Sequence, residues 1–248
     1  INRIVIDPAN NDIVYVAATG PLWGAGGERG VFKTTDGGRT WRKVLAGDEN
    51  TGANDLAMSS KDPRVLYASM YQRRRTNCCM NGGGPGSGIF KSVDGGETWT
   101  KLAGGLPTGD LGRIGLDSYR QDPNILYASI EAPSIVPVDS GKTGLWRSDD
   151  AGATWRKLNA TNPRPMYFSQ VRIDPNSADR VYMDGVGMQM TIDGGKTIET
   201  DAARVTHDDV HAIWIDPGNS EHVLIGNDGG LAVSYDMSKT WTFIPNLP

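Results

Sequence analysis

Very little of this sequence is suited to crossing a bilayer or gripping a polyanion. No apolar run approaches the roughly 20 residues that a membrane helix needs, so the chain carries no helical membrane span. With 25 Lys and Arg against 29 Asp and Glu the formal charge is −4. That leaves no basic field to condense onto nucleic acid, which is excluded as a partner. Cysteine is nearly missing: Cys78 and Cys79 are the only two, and they are adjacent. Within the chain they can pair only with each other as a vicinal disulfide; otherwise their partners lie outside it or they are free thiols. A charged-then-apolar leader is also lacking, and the opening on Ile1 reads as internal to a longer protein.

Glycine and proline are abundant, with Gly 32, Pro 14 and only 22% charged residues. Spread between evenly distributed β-formers, they indicate many short strands joined by tight turns, an all-β chain. Self-similarity sharpens this. The pattern S/T-x-D-x-G-x-T-W occurs at Thr34–Trp41, Ser92–Trp99 and Ser148–Trp155. Two degraded copies follow, Thr191–Ile198 with Ile in the Trp slot and Ser234–Trp241 with Ser238 in the Gly slot. A second element runs in step, an Asp-Pro turn ahead of a strand, at Pro8, Pro63, Pro123, Pro175 and Pro217. Each unit reads strand, Asp-Pro turn, strand, variable loop, strand, Asp turn, strand, the four-stranded antiparallel blade of a β-propeller. Five such blades are expected, at approximately 1–46, 54–103, 112–159, 170–200 and 211–244.

The chemistry of the repeated turn is structural. Its Asp accepts hydrogen bonds from its own turn, the Gly two residues on supplies positive φ, and the Trp fills space between neighbouring sheets. Asp36, Trp41, Asp94, Trp99, Asp150, Trp155, Asp193, Asp236 and Trp241 are assigned that framework role. Tyr15, Tyr67, Tyr127 and Trp214, on the periodic strands, are assigned to the core between blades.

These motifs resemble the Asp-box, or BNR repeat, of sialidase, sortilin/Vps10 and xyloglucanase-type propellers. With the Gly-rich stretch Asn81–Gly88 and the late Asn227-Asp228-Gly229-Gly230, the chain resembles bacterial sortilin-like repeat proteins often labelled glycosyl hydrolase. The resemblance implies an extracytoplasmic protein and a propeller of six, seven or ten blades, so that further blades or another subunit complete it. Members of this fold group do different things, so function has to be argued from a site.

Alternation of strand direction puts the Asp-Pro and Asp-box turns on one face of the propeller. The long loops at about residues 19–30, 71–88 and 131–144 fall on the other. There, Trp23, Arg29, Tyr71, Arg73, Arg74 and Arg75 form a candidate grip for a carboxylate, a sugar or an acidic peptide. His207 and His211 are candidates for a metal, although an extended strand would hold them about 13 Å apart. Asp208, Asp209, Asp228 and Glu131 are catalytic candidates by location alone, Asp228 within an expected hairpin. No motif calls for a cofactor. The reading favoured at this level is a module that binds a protein, peptide or glycan, or scaffolds a larger assembly, rather than an enzyme. The alternative is a glycoside hydrolase, which requires two carboxylates flanking the scissile bond.

Overall fold

A computed structural model describes residues 1–132 and 140–245. Among them there is no α-helix, and the only helical turn is Ser140–Lys142. Five antiparallel sheets of three or four strands follow one another along the described residues, each with its strands in sequence order, and a two-stranded ribbon is inserted within the second. The first is built from Arg3–Ile6, Val14–Ala18, Gly30–Thr34 and Arg42–Leu45. The second comprises Thr51–Met58, Leu66–Gln72, Gly88–Ser92 and Thr100–Lys101, and the third Ile114–Ser118, Leu126–Ile130, Gly144–Ser148 and Arg156–Asn159. The fifth uses Val210–Asp216, Asn219–Asn227, Gly230–Ser234 and Thr242–Ile244.

The fourth sheet departs from the expected four strands. It has three, Val171–Asp174, Ser177–Met183 and Gln189–Thr191, and its fourth strand shrinks to one bridge between Met190 and Glu199. Its third strand is only three residues long. Most of the third long loop, residues 133–139, lies outside the described residues.

Burial along the first strands shows how the sheets stack. In the second sheet all but the last residue of Thr51–Met58 are buried, because both faces are covered by neighbouring sheets. Such a strand must be built from small or apolar side chains such as Ala53, Leu56 and Ala57. In the first sheet, Arg3–Ile6 alternates between half-buried and exposed, and Ile4 and Ile6 are more than half exposed. The fifth sheet is open on one face too, which corrects the assignment of Trp214 to the core: it is 46% exposed and meets His222 edge-on.

One hydrogen-bond pattern closes all five Asp turns. The Ser or Thr hydroxyl donates to the Asp Oδ1, and the N–H four residues after that Ser or Thr donates back to its hydroxyl. The Thr four residues after the Asp donates its N–H to Oδ1 and its hydroxyl to Oδ2. Two consecutive residues take positive φ, and only the second was expected from the pattern. Ala151 and Met237 occupy the first position at φ 57° and 60°, and Ser238 the second at 68°. The residue after each Asp also donates its N–H to the Asp-Pro turn: Gly37 to Asp12, Gly95 to Arg64, Ala151 to Asn124, Gly194 to Asp179 and Met237 to Glu221. The two turns therefore share one end of every sheet.

Adjacent sheets are joined by a recurring clamp. Tyr15 and Lys33 both donate to the Gly95 carbonyl of the next sheet's turn, and Tyr67 and Lys91 both donate to Ala151. Tyr127 reaches Ala178, with Arg147 bridging Tyr127 and Asp179. The fourth copy is degraded: the buried Tyr182 hydroxyl faces Ser238 without a well-formed hydrogen bond. In the fifth sheet Leu224 and Val233 are the paired residues at these positions. The slot closing each Asp turn packs against the preceding sheet, as Trp155 does at 5% exposure among residues of the second and third sheets. Trp41 is not covered by any of the described sheets and stays 44% exposed, which corrects its assignment to inter-sheet packing.

Candidate functional site

All five sheets contribute to one polar cleft of about 270 Å³ at the start of their first strands. Asn2 leads into the first sheet; Asn54 and Asp55 belong to the second; Arg113 leads into the third. Tyr167, Ser169 and Gln170 lead into the fourth, Arg172 lies on its first strand, and His211 belongs to the fifth. Asp184, which follows the second strand of the fourth sheet, completes the lining. First strands begin where the inter-sheet links arrive, so the cleft opens at the end opposite the Asp turns.

The two lining carboxylates are in different situations. Asp55 is committed: one oxygen takes the Leu56 N–H and lies 3.7 Å from Arg3, and the other takes the Leu116 N–H. Asp184 is 3% exposed and accepts the N–H groups of Ser169 and Gln170 on Oδ1 alone. Burial pushes its carboxyl up to about 6, against the pull of those N–H groups and of Arg113 and Arg172. A carboxylic acid that keeps its proton until pH 6, in a cleft, is equipped for general-acid chemistry.

His211 carries the cleft to its rim. Its ring stacks on Phe168 with centroids 5.1 Å apart, and its Nε2 lies 3.1 Å from Asp228 Oδ1. Asp228 sits with Gly229 at the tip of the expected hairpin, where Asn227 pairs with Gly230. Arg113 ties the cleft to Glu131, whose Oε2 accepts the Arg113 N–H, while its guanidinium donates to Asn54 and to the Met166 carbonyl. Burial raises the Glu131 carboxyl above the ordinary range.

Several sequence candidates are separated by the structure. Asp208 is exposed, and Asp209 adopts positive φ in the link, donating its N–H to Val186. Residues 207–209 precede the strand, and His207 packs against the hairpin at Gly229, its carbonyl accepting from Asn227 and its Nδ1 3.0 Å from the Asp208 carbonyl. Among the described residues no three His, Cys, Asp or Glu side chains gather as a metal site would need. Arg29 is corrected from ligand contact to loop former, since it is 2% exposed and donates to the carbonyls of Thr19, Pro21, Gly24 and Gly26. Tyr71 is corrected likewise, because only 1% of it is exposed. Trp23 and Arg75 do meet, with the guanidinium 5.3 Å from the indole centroid. Arg73 and Arg74 turn inward to Thr19 and Asn50. Cys78 and Cys79 are joined as a vicinal disulfide.

Asp184, Asn54 and Arg113 were missed by sequence reasoning, yet Asp184 left a signal. After the Tyr of the second strand the repeat reads Tyr67-Ala68-Ser69 and Tyr127-Ala128-Ser129, but Tyr182-Met183-Asp184 in the fourth unit. The same slot holds Ala17 in the first unit and Gly226 in the fifth, so Asp184 is the one carboxylate where the repeat otherwise places a small residue.

No family model matches the chain. It is similar to the xyloglucanase Xgh74A of Acetivibrio thermocellus, 26% identical over 190 residues that make 64% of this chain and 20% of that protein. An oligoxyloglucan-reducing end-specific xyloglucanase of Emericella nidulans is 24% identical over 219 residues, 73% of this chain and 26% of the relative. The chain thus spans about a fifth to a quarter of the length of these relatives. Among solved structures, an ancestral GH74 enzyme superposes with a TM-score of 0.66 at 18% identity, covering 98% of this chain and 32% of that one. These likenesses fit a glycosyl hydrolase-like propeller group and do not single out the sortilin branch. No described helix is long and apolar enough to cross a membrane.

Proposed function

We propose that this chain is the propeller portion of an extracytoplasmic glycoside hydrolase acting on xyloglucan or a polysaccharide of similar build. The observation that carries the reading is Asp184, a buried carboxyl lining a five-sheet cleft and protonated up to about pH 6. In this role it donates its proton to the leaving glycosidic oxygen. Asp228, held by His211 at the rim, is the second carboxylate, stabilising positive charge at the anomeric carbon or activating water. The similarity to named xyloglucanases supports hydrolysis over the binding or scaffolding role favoured from sequence alone. The reading needs no cofactor.

The five sheets serve here as consecutive blades within a larger propeller. The apolar outer face of the first sheet, where Ile4, Ile6 and Trp41 lie open, is the seat of a further blade. The test is release of reducing ends from xyloglucan by the full-length protein and by its Asp184→Asn and Asp228→Asn variants. Each is expected to lose about 10²- to 10⁴-fold in kcat with unchanged circular dichroism. In the active protein the rate should fall as pH rises through about 6, where Asp184 loses its proton. Full activity in both variants would sink the reading.

A further inference from the structure

The long loops of the first two sheets form a second surface, which shares no residue with the cleft. Arg29 is buried inside the 19–29 loop and draws four of its carbonyls inward, a rigid support for the Trp23 that this loop presents at 59% exposure. The neighbouring loop is laced to it. Arg75 donates its N–H to Leu22, Arg73 donates to Thr19 Oγ1, and the Arg74 side chain and Arg73 N–H both reach Asn50. Arg74–Arg75 pair with Met80–Asn81 in a short ribbon, and the vicinal disulfide lies at its tip. Trp23, Arg75, Thr76, Asn77 and Cys78 line an open groove of about 450 Å³.

Of the three arginines only Arg75 lines this groove, above the inward-turned Arg73 and Arg74, and its charge is left without an ion pair. The protein carries a net −4, yet among the described residues no carboxylate forms an ion pair with Arg73, Arg74 or Arg75. The nearby acids are engaged elsewhere: Glu28 pairs with Lys43, and Asp48 accepts the Asn50 N–H. The Nε atoms of Arg73 and Arg74 and the Tyr71 hydroxyl are buried without hydrogen-bond partners. An arginine without counter-charge, held on a preorganised loop beside an exposed indole, is a recognition device for an anion.

We infer that the groove between Trp23 and Arg75 binds a carboxylate-bearing sugar residue, a uronate, with the indole under the pyranose ring and the guanidinium on the carboxylate. The Arg75 guanidinium lies over one face of the Trp23 indole; the face it leaves uncovered suits the C–H face of a sugar, and the edge of the stacked planar cation suits a carboxylate. The platform is one indole wide, which fits a single ring better than the extended contact an acidic peptide makes. The choice of a sugar rests on the glycan reading above, but the groove is read out separately from hydrolysis.

The experiment is calorimetric titration of the protein with tetragalacturonate, a neutral cello-oligosaccharide of equal length, and a tetraglutamate peptide. The acidic sugar is expected to bind about tenfold or more tighter than either of the others, a difference of at least ~1.4 kcal/mol. Its affinity should weaken as salt rises. Trp23→Ala should lose binding about tenfold, and Arg75→Gln should bring acidic and neutral sugars to equal affinity with the fold intact by circular dichroism. Asp184→Asn should leave this binding unchanged even where it abolishes hydrolysis, separating the two sites. Equal binding of neutral and acidic sugars by the unmodified protein, indifference to both groove substitutions, or equal binding of the peptide would each overturn the assignment.

Discussion

At one end of the sheets five turns repeat the same hydrogen bonds almost atom for atom, and at the other the loops differ from sheet to sheet. The comparison separates two uses of charge. The turn carboxylates Asp36, Asp94, Asp150, Asp193 and Asp236 are each drawn down to about 2, chiefly by hydrogen bonds from the Thr four residues on. They are anions that hold a turn. Asp184, at the far end, is pushed up to about 6 by burial and is an acid in waiting. Repetition therefore marks the framework, and the carboxyl group with the opposite shift lies outside the repeated turns.

The largest effect that would test this contrast is in the packing of the turn tryptophans. Trp155→Ala should cost about 3–5 kcal/mol in denaturant unfolding, because the side chain fills a buried slot between two sheets. Trp41→Ala, in the same position of the repeat, should cost roughly 1 kcal/mol, since its contact with water is already substantial. Equal losses in this chain would show that neighbouring sheets do not decide the stability of the turn. In a longer protein that covers the first sheet, the Trp41→Ala cost should rise toward that of Trp155→Ala.

Next in size is the opposite pH response of the two ends. Asp184 has a folded value above its unfolded one near 3.9. Its neutral form favours folding below about pH 4, and that advantage is lost as pH rises through about 6. Asp184→Asn retains an oxygen for the Ser169 and Gln170 N–H groups. It should raise stability at pH 8 by up to ~3 kcal/mol, from a shift of about two units at 1.36 each, and leave pH 4 unchanged. The turn carboxylates have folded values below the unfolded one, so their contribution is present above pH ~4 and lost as pH falls toward 2. Urea titrations across pH 2–8 read both; a stability of Asp184→Asn that tracks the unmodified protein at every pH would refute the first.

The smallest effect concerns the clamp. Tyr67→Phe removes a hydroxyl bonded to Ala151 and should cost about 1 kcal/mol, measured by thermal unfolding. Tyr182→Phe removes a buried hydroxyl that lacks a well-formed bond and should be neutral or stabilising by up to about 1 kcal/mol. A clear loss for Tyr182→Phe would mean that the fourth junction keeps its clamp after all.

Much of the framework was legible because it depends on local chemistry. A Thr, Asp, Gly and Thr within seven residues can close a turn without help, so Thr34–Thr40 announces itself in sequence. The hairpin at Asn227–Gly230 was legible for the same reason. The position before the turn glycine was not: Ala151 and Met237 bear positive φ only because the rest of the turn enforces it. The fourth sheet was overcounted because its turn pattern survives while the strand after it does not. Arg29 looked like a ligand contact, since sequence does not tell whether an arginine in a Gly-rich loop points out to solvent or back into its own carbonyls.

By itself the sequence determined the repeated unit, its two turns and their common end, since each follows from residues a few positions apart. Only the tertiary structure decided which side chains meet. Asn2, Asn54, Arg113, Asp184 and His211 come from all five sheets and are up to 209 positions apart in sequence. They line one cleft because stacking brings the starts of the first strands together. The acidity of Asp184 was decided there too, since burial is a property of what neighbouring sheets exclude, and no local pattern records it.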